Sequence, residues 1–533
     1  MIKRNWMGYY ALALSCFVAS CEEEIQDTVA PDISITSPML DTKLWLGVSV
    51  KADVTDDHLV SKVEFYLDDE LLGEDTEAPY ELDFNSKQYE DGMYELKVLA
   101  YDGGGNQTEA SQDIEIFNSL LKVSVGDNYL ESNEEEWIVV GTHEGEVLET
   151  IMIENSEEYV FARPDDYLED KINVMVISRN MYDTENEAID ILQMQNLYPE
   201  SWTLKGNQNS KDSIGTATIN FSNSQEERVG TATHNISHIT FNRIYNDSDS
   251  IIRNNIYKIA KEPARVLTYI HNYTDNTVPR YHWIPEIESE KEYNLINEDF
   301  IPMNLWQNIT LPPNSSVFYN IRGRYKNSEV YEVMRNSFSG NLSSLSMYVP
   351  GETFEGYRYG ISIRNDNYFY YKTELAKPDE ILTIPEVSYE ITDNSMESFS
   401  SQVNFEGDFC SNLWRYRYRT DTELKNVYWY IDSDISEGKV EAKKMSIPEA
   451  IINRYSLLSE SKDNFVHEEI MFYDYKGISS LNEFVKETYH YDNDIIDYEF
   501  LIFEFDNPNA KISQDKEHEV FNKKRMEKHS KIR

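Results

Sequence analysis

Two short stretches decide the fold of the N-terminal region: residues 48–54 read Val-Ser-Val-Lys-Ala-Asp-Val, and residues 61–67 read Ser-Lys-Val-Glu-Phe-Tyr-Leu. In both stretches apolar side chains occupy every second position. Because successive side chains of a β-strand point to opposite faces, this alternation predicts two strands that each bury one face. The region therefore starts as a half-buried sheet and not as a helical domain.

The same alternation continues on both sides of these strands. Residues 31–38 alternate between two prolines, which is typical of an edge strand. Further strands are predicted at 94–100 and 114–116. Turn-forming residues separate the strands: Asp68-Asp69, Asp91-Gly92 and Gly103-Gly104-Gly105-Asn106. Several short strands of period two within residues 31–117 predict a β-sandwich.

Particular motifs give this region a family resemblance. They are Ile35-Thr36-Ser37-Pro38, Ser61-Lys62-Val63-Glu64-Phe65-Tyr66, Ala78-Pro79-Tyr80, Asp91-Gly92-Met93-Tyr94 and Ala100-Tyr101-Asp102-Gly103-Gly104-Gly105-Asn106. Residues 31–117 resemble a bacterial Ig-like domain, a module that serves as a spacer in exported, often carbohydrate-active proteins. The resemblance implies a sandwich without catalytic residues. Tyr94 lies where a tyrosine corner would tie its strand to the backbone.

Three aspartates of this region allow two interpretations. Asp56, Asp57 and Asp102 could gather a calcium ion at one end of the sandwich, because carboxylate oxygens suit that ion. Aspartate is also common in turns, where its carboxylate accepts hydrogen bonds from the backbone. We favour turn capping and predict no metal ligand and no cofactor.

The N-terminus has the pattern of a processing signal. Lys3 and Arg4 precede a short apolar stretch at 7–19, and Val18-Ala19-Ser20-Cys21 follows. This segment resembles a bacterial lipobox, which implies that residues 1–20 are a lipoprotein signal peptide and that Cys21 is lipidated, with palmitate among its acyl chains. Three acyl chains would anchor the protein almost permanently in a membrane. The alternative is an ordinary signal peptide with a chance cysteine.

Residues 21–30 form an acidic tether. Glu22, Glu23 and Glu24 directly follow the cysteine, and such a cluster resembles the surface-export signal of Bacteroidota lipoproteins. The resemblance implies a protein anchored in the outer membrane and facing the cell surface. The alternative is a solvated acidic linker.

Composition narrows the class of partner. The 533 residues include 48 Lys+Arg and 96 Asp+Glu, a formal net charge of -48. Such a charge repels nucleic acid, whose binding depends on cationic contacts to phosphate. With three cysteines, of which Cys16 leaves with the signal and Cys21 is lipidated, no internal disulfide is predicted. Cys410 could be a nucleophile, but a lone cysteine among aromatics is more often a small buried apolar residue.

The rest of the chain is also β-like. We predict a second small β-sandwich at 118–208, a β-rich domain at 209–390, and a β-rich domain at 391–533 that carries two short helices and a charged tail. Ser446-Ile447-Pro448-Glu449 and Ser480-Leu481-Asn482-Glu483 would begin the helices. The predicted fold class is mostly β, with tandem antiparallel Ig-like β-sandwich domains. Beyond residue 117 the chain resembles only β-modules of uncharacterised Bacteroidota lipoproteins.

An unusual alternation marks one predicted hairpin. Trp414, Tyr416 and Tyr418 alternate with Arg415, Arg417 and Arg419, so on a strand the aromatic residues share one face and the arginines share the other. Residues 427–431 would form the partner strand. In one interpretation the aromatic face packs on the core while the arginines meet carboxylates. In the other, these six residues form a ligand surface, because aromatic rings stack on sugars and arginine grips carboxylates.

The sequence contains no motif that is typical of an enzyme active site. His234 and His238 lie in strand-like sequence, where four residues span ~13 Å, too far for one zinc ion. No G-x-S-x-G, P-loop or dinucleotide motif occurs. We therefore predict a non-catalytic, lipid-anchored protein that binds a polysaccharide or another envelope protein, or that has a structural role. The alternative is a carbohydrate-active hydrolase, whose paired carboxylates cannot be singled out among 96 acidic residues.

Overall fold

The structure is a computed structural model. It divides into two compact units, and the boundary along the chain lies between Asn118 and Ser119. The ranges that it describes are 27–40, 42–45, 47–181, 187–205, 213–222, 228–233, 250–257, 264–271, 278–288, 290–313, 315–325, 329–338, 342–351, 354–365, 367–395, 397–407, 409–419, 425–490 and 497–504.

The first unit is a sandwich of two sheets. The three-stranded sheet contains, in spatial order, β1 (Asp32–Ser37), β3 (Gly47–Thr55) and β6 (Tyr80–Asn85). The five-stranded sheet contains, in spatial order, β2 (Lys43–Leu44), β8 (Gln107–Ile116), β7 (Gly92–Asp102), β4 (Val60–Leu67) and β5 (Glu70–Asp75). As predicted, β1 is an edge strand.

The alternating apolar residues of both sheets meet in the core of this sandwich. Val50 of β3 and Val63 and Phe65 of β4 are fully buried, with no exposed surface. The hydroxyl of Tyr94 donates a hydrogen bond to the carbonyl of Glu90, at 3.0 Å, so the predicted tyrosine corner is present.

The second unit is built on one sheet of twelve strands. In spatial order they are β11 (Val147–Ile153), β10 (Glu134–Thr142), β13 (Ile172–Met181), β14 (Glu187–Leu197), β32 (Asn426–Asp434), β31 (Ser411–Arg419), β34 (Val466–Tyr475), β35 (Tyr498–Glu504), β28 (Phe369–Glu374), β27 (Gly356–Arg364), β24 (Ser316–Tyr325) and β25 (Glu329–Phe338).

Five smaller sheets complete the described part of this unit. They are β12 (Glu158–Phe161), β9 (Leu121–Val125) and β15 (Glu200–Leu204); β18 (Ser250–Tyr257), β16 (Ser213–Ser222) and β21 (Glu292–Ile296); β17 (Arg228–Thr233), β19 (Ala264–His271), β20 (Arg280–Ile287) and β22 (Ile301–Pro302); β23 (Asn304–Thr310) and β26 (Ser344–Val349); and β29 (Val387–Asn394), β30 (Ser398–Phe405) and β33 (Lys439–Lys443).

The middle of the large sheet is covered on both faces. On one face its apolar residues share a core with β9, β12, β15 and the helix α3 (Leu481–His490). On the other face they share a core with β30, β33 and the helices α1 (Glu449–Arg454) and α2 (Ser456–Ser461). Strands of this region are therefore buried on both sides.

The two predicted helical regions are present, with one difference. The region after Ser446 is broken at Tyr455 into α1 and α2, and Pro448 caps α1 without a side-chain hydrogen bond. At α3 the backbone N–H of Glu483 donates to Ser480 Oγ at 3.2 Å. The Glu483 carboxylate accepts from the backbone N–H of Ser479 at 2.8 Å. Only the second capping motif therefore forms close to the predicted way.

The predicted mostly-β class and the N-terminal Ig-like sandwich are confirmed, but the structure does not divide the chain near residues 208 and 390. Strand β14 pairs in parallel with β32, from Ala188 opposite Asn426 to Met194 opposite Asp432. Strands from all three predicted domains thus belong to one sheet. The predicted boundaries near residues 208 and 390 are therefore not found. The edge of β14 pairs with a strand more than 200 residues away in the chain, and local alternation cannot reveal such a partner.

Candidate functional site

The predicted lipidation site, Cys21, lies outside the described residues, as do the rest of the signal segment and residues 21–26 of the acidic tether. His234 and His238 also lie outside them. Lipidation of Cys21 therefore stays a prediction from the sequence.

The aromatic face of β31 packs into the core. Trp414 has no exposed surface and Tyr416 is 5% exposed. The Trp414 ring lies 4.0 Å from the ring of Phe399 on β30, measured between centroids, and the Tyr416 hydroxyl donates to Asn394 Oδ1 at 2.8 Å. The interpretation of this face as an exposed ligand surface is wrong for these two residues; Tyr418 is half-buried.

The arginine face of β31 is buried as well. Arg415 is 3% exposed, and it pairs with Glu469 and, at 3.1 Å, with Glu468. Arg417 approaches Glu468 at 3.7 Å, whereas Arg419, at the end of the strand, is exposed. Arg415 and Arg417 thus meet carboxylates inside the protein, as the core-packing interpretation predicts, and Arg419 does not. Alternation identified the two faces correctly but carried no information about what covers them.

Asp102 and Cys410, which were also candidates from the sequence, have structural roles. The Asp102 carboxylate accepts hydrogen bonds from the backbone N–H and the side-chain amide of Asn106, at 2.8 and 2.7 Å, so Asp102 caps its turn. Cys410 is 5% exposed. Burial raises the pKa of its thiol to about 12, so it remains a thiol at neutral pH and is a poor nucleophile.

A different group of aromatic residues remains partly accessible. Trp283 on β20, Trp306 on β23, Tyr357 on β27 and Phe354, which precedes β27, are all half-buried. Their rings form a continuous chain: the centroid distances are 5.9 Å from Trp283 to Phe354, 5.4 Å from Phe354 to Tyr357 and 5.6 Å from Tyr357 to Trp306. We call these four residues the aromatic cluster.

Contacts with Gly323, Pro350 and Tyr359 fix the positions of these rings. The Phe354 ring packs directly over Gly323 of β24, where a Cβ atom would collide with it. The Tyr357 hydroxyl donates to the carbonyl of Pro350 at 2.5 Å, and burial raises the pKa of Tyr357 above its ordinary value, so the donor proton stays in place. Trp306 also contacts the buried Tyr359, at 6.2 Å between centroids.

Amide side chains lie along the same strand as Trp306. Asn304 and Asn308 are exposed and Gln307 is half-buried. Ser346 of the neighbouring strand donates to Asn308 Oδ1 at 2.8 Å. Side-chain amides both donate and accept hydrogen bonds, and partly exposed aromatic rings offer apolar contact area with a defined shape. The combination can bind a ligand that has both apolar faces and hydroxyl groups.

The aromatic cluster was not predicted from the sequence. Its members come from three segments separated by up to 74 positions, so no local spacing brings them together. A signal did exist in Asn304-Leu305-Trp306-Gln307-Asn308, where a tryptophan stands between amides on a strand. That signal is weak because it does not say whether the tryptophan faces the core.

Within the described residues, no helix is long and apolar enough to cross a membrane.

Comparison with known proteins identifies one domain. Residues 31–98 match the family described as Bacterial Ig domain. The match covers about an eighth of the chain and agrees with the resemblance noted for residues 31–117. No curated protein matches the chain.

Several solved structures match parts of the chain. A fibronectin(III)-like module structure of Clostridium thermocellum CbhA is 28% identical, covering 16% of this chain and 94% of that chain, with a TM-score of 0.15. The Bacteroides ovatus mixed-linkage glucan utilization locus protein SGBP-B, solved with a mixed-linkage heptasaccharide, is 9% identical, covering 63% of this chain and 100% of that chain, with a TM-score of 0.16. A tetra-tandem repeat of a large adhesion protein is 11% identical, covering 83% of this chain and 94% of that chain, with a TM-score of 0.14.

The Ig-like domain and the β-rich body fit a binding or structural role.

Proposed function

We propose that this protein is a non-catalytic, lipid-anchored protein of the outer membrane that binds a polysaccharide at the cell surface through the aromatic cluster. The observation that supports this proposal is the continuous chain of four half-buried rings beside the amide side chains of β23. Sugars present apolar C–H faces and hydroxyl groups together, and this surface offers a complement to both.

The chemistry of the cluster favours binding over hydrolysis. A glycosidase needs two carboxyl groups ~5–10 Å apart on either side of the scissile bond. The four residues of the aromatic cluster carry no carboxyl group. Two buried carboxylates elsewhere, those of Glu468 and Glu469, are paired with Arg415 inside the protein. They are therefore engaged in structure and do not face a ligand.

Anchoring is proposed from the lipobox-like sequence that ends at Cys21. Cells expressing the full chain should incorporate labelled palmitate into the protein and retain it in the outer membrane. Cys21→Ser should lose the label and leave the membrane fraction. Cys410→Ser is the matched control, because it removes a cysteine from the core and should retain the label. Label retained by Cys21→Ser would contradict the proposal.

Binding is tested with the mature chain on an array of bacterial and plant polysaccharides. We expect Trp306→Ala to weaken binding roughly two- to tenfold, since loss of a stacked aromatic contact costs on the order of 0.5–1.5 kcal/mol. Tyr198→Ala is the control, because Tyr198 is a 50% exposed aromatic residue outside the cluster. Circular dichroism would verify that each variant is folded.

Three results would contradict the proposed role. If Trp306→Ala bound the polysaccharide as tightly as the wild type, the aromatic cluster would not be the binding site. Binding only to a protein partner would replace the polysaccharide. Release of reducing ends during incubation with a bound polysaccharide would show that the protein is a hydrolase.

A further inference from the structure

The N-terminal sandwich brings together four polar side chains that are separated in sequence. Asp27 lies just before β1, and Asp56, Asp57 and His58 form the turn between β3 and β4. One potential ligand atom from each of the four residues lies within 4.8 Å of the other three. Asp102, which together with Asp56 and Asp57 was one of the three candidate calcium ligands in the sequence, is not one of them.

The Asp27 carboxylate is the unusual member of this group. Its side chain is 9% exposed. Oδ1 accepts a hydrogen bond from the backbone N–H of Val29 at 3.1 Å, but Oδ2 is shielded from solvent and accepts no hydrogen bond. Oδ1 of Asp56 is in the same condition. Leaving a buried carboxylate oxygen without a hydrogen bond is costly, so both atoms are suited to contact a bound cation.

The fold fixes Asp27 in this position. The side-chain amide of Asn106 donates to the carbonyls of Asp27 and Val29, at 3.1 and 3.2 Å. Gly104 permits a close approach, since a Cβ atom there would lie 2.8 Å from the Cβ of Asp27. The turn before β8 thus holds the start of the domain against the Asp56–His58 turn.

We propose that the carboxylates of Asp27, Asp56 and Asp57 bind a calcium ion next to His58. Calcium prefers oxygen ligands at about 2.3–2.6 Å, so two ligands of one ion lie up to about 5 Å apart, and the spacing of the cluster meets this limit. The ion would compensate for the hydrogen bonds that Asp27 Oδ2 and Asp56 Oδ1 lack.

His58 lies beside the carboxylates of this site. Its Nδ1 lies 3.4 Å from Asp57 Oδ1 and 3.6 Å from Asp27 Oδ2. The imidazole thus lies against two of the carboxylates. The His58 side chain is 58% exposed, which lets it turn outward when a cation replaces it.

The occupied site would clamp the chain where it enters the sandwich. Asp27 belongs to the segment that leads into β1, and Asp56 and Asp57 follow the end of β3, which pairs with the start of β1. A bound ion would connect these two segments through side chains, in addition to the Asn106 hydrogen bonds.

Calcium titration by calorimetry on the full mature chain tests the site. Because the chain carries a formal net charge of -48, weak surface binding is expected in every variant, and the measured quantity is the tightest class of site. We expect Asp27→Asn to lose one equivalent of this class. Asp83→Asn is the control, because it removes one exposed carboxylate of β6 in the same domain and should leave the stoichiometry unchanged.

Hydrogen–deuterium exchange gives a second readout that depends on position. Calcium should slow exchange at the Val29 amide in the wild type and in Asp83→Asn but not in Asp27→Asn. Equal calcium binding by Asp27→Asn and the wild type would overturn the proposal. Tighter binding of Zn²⁺ than of Ca²⁺, lost in His58→Gln, would also overturn it, because the site would then be an imidazole site for a softer metal.

Discussion

Burial decides the charge of His467, whose ring lies between the rings of Trp414 and Tyr416 at centroid distances of 4.6 and 4.8 Å. Burial lowers the pKa of His467 to about 3, so the imidazole is neutral at physiological pH. Its Nε2 lies 3.2 Å from the carbonyl of Glu469, which can only accept a hydrogen bond. Nε2 therefore carries the proton, and the ring acts as a neutral stacking partner.

Lys444 makes the stability of the same region depend on pH. Its Nζ donates to the carbonyl of Ser395 at 2.6 Å and lies 4.1 Å from the Tyr416 ring centroid. Burial lowers the pKa of Lys444 to about 8, against the opposing charge of Asp393. Between about pH 8 and its ordinary pKa of 10.5, the unfolded chain binds this proton and the folded chain does not. The contribution of Lys444 to the free energy of unfolding therefore rises with pH in this window.

Lys444→Met should remove that rise. We compare the free energy of unfolding of the variant with that of the wild type by urea denaturation. The difference in favour of the variant should be large at about pH 8 and should shrink towards pH 10. Lys439→Met is the control, because Lys439 is an exposed residue of the nearby strand β33. The same pH dependence in Lys444→Met and the wild type would show that Lys444 keeps its ordinary pKa.

Gly323 is required by the aromatic cluster. Gly323→Ala should push the Phe354 ring out of place and lower the free energy of unfolding by about 1–3 kcal/mol, with a change in the near-ultraviolet circular dichroism of the aromatic residues. Gly356→Ala is the matched control, because a Cβ atom there meets nothing within 4 Å. If both variants gave the same spectrum as the wild type, Phe354 would not be packed on Gly323 in solution.

At the scale of elements, strand β31 shows what burial on both faces demands. One face places Trp414 and Tyr416 among apolar residues, and the other places Arg415 beside Glu468 and Glu469. Burial lowers the pKa of the Arg415 guanidinium, but the Glu469 carboxylate outweighs this effect and leaves the pKa raised. The strand is therefore stable only while these buried charges remain paired.

Arg415→Met tests this requirement. Because Glu469 has no exposed surface, the variant leaves a buried carboxylate without its cation and should cost about 3–5 kcal/mol in the free energy of unfolding. Arg419→Met, at the exposed end of the same strand, should change it by less than about 0.5 kcal/mol. In the background of Glu469→Gln, the cost of Arg415→Met should be smaller. An equal cost in both backgrounds would show that the two charges are not coupled.

At the scale of the whole molecule, the sheet topology determines which fragments can fold. The twelve-stranded sheet takes β14 from the first part of the second unit and pairs it with β32, which lies near the end. The core shared by β9, β12, β15 and α3 also needs Tyr473 and Phe500 from late strands. A piece of this unit that ends before β31 therefore lacks one side of that core.

Fragments of the chain should behave accordingly. Residues 27–118 should unfold cooperatively as a single unit, since both sheets of the sandwich and their core lie within them. Residues 119–390 should lack a cooperative thermal transition, because the edge of β14 and one side of its core are left open. Residues 119–533 are the control and should regain the transition. A folded 119–390 fragment would contradict the observed topology.

The sequence by itself determined the features that depend on neighbours along the chain. The alternation of Val48 to Val54 and of Val63 to Leu67 predicted the Ig-like sandwich, and Tyr94 predicted the tyrosine corner that forms with Glu90. The pairing of β31 with β32 was also predicted, because these strands are separated by a short loop. In each case the pattern and its partner lie within a few tens of residues.

Only the tertiary structure decided what covers each face and which distant segments meet. It buried both faces of β31, joined β14 to β32, gathered the aromatic cluster, and placed Asp27 beside Asp56 and Asp57. The physical reason is that a period of two specifies that a strand has two faces but not which layer packs on either of them. That choice depends on burial and hydrogen bonding summed over contacts between residues that are far apart in the chain.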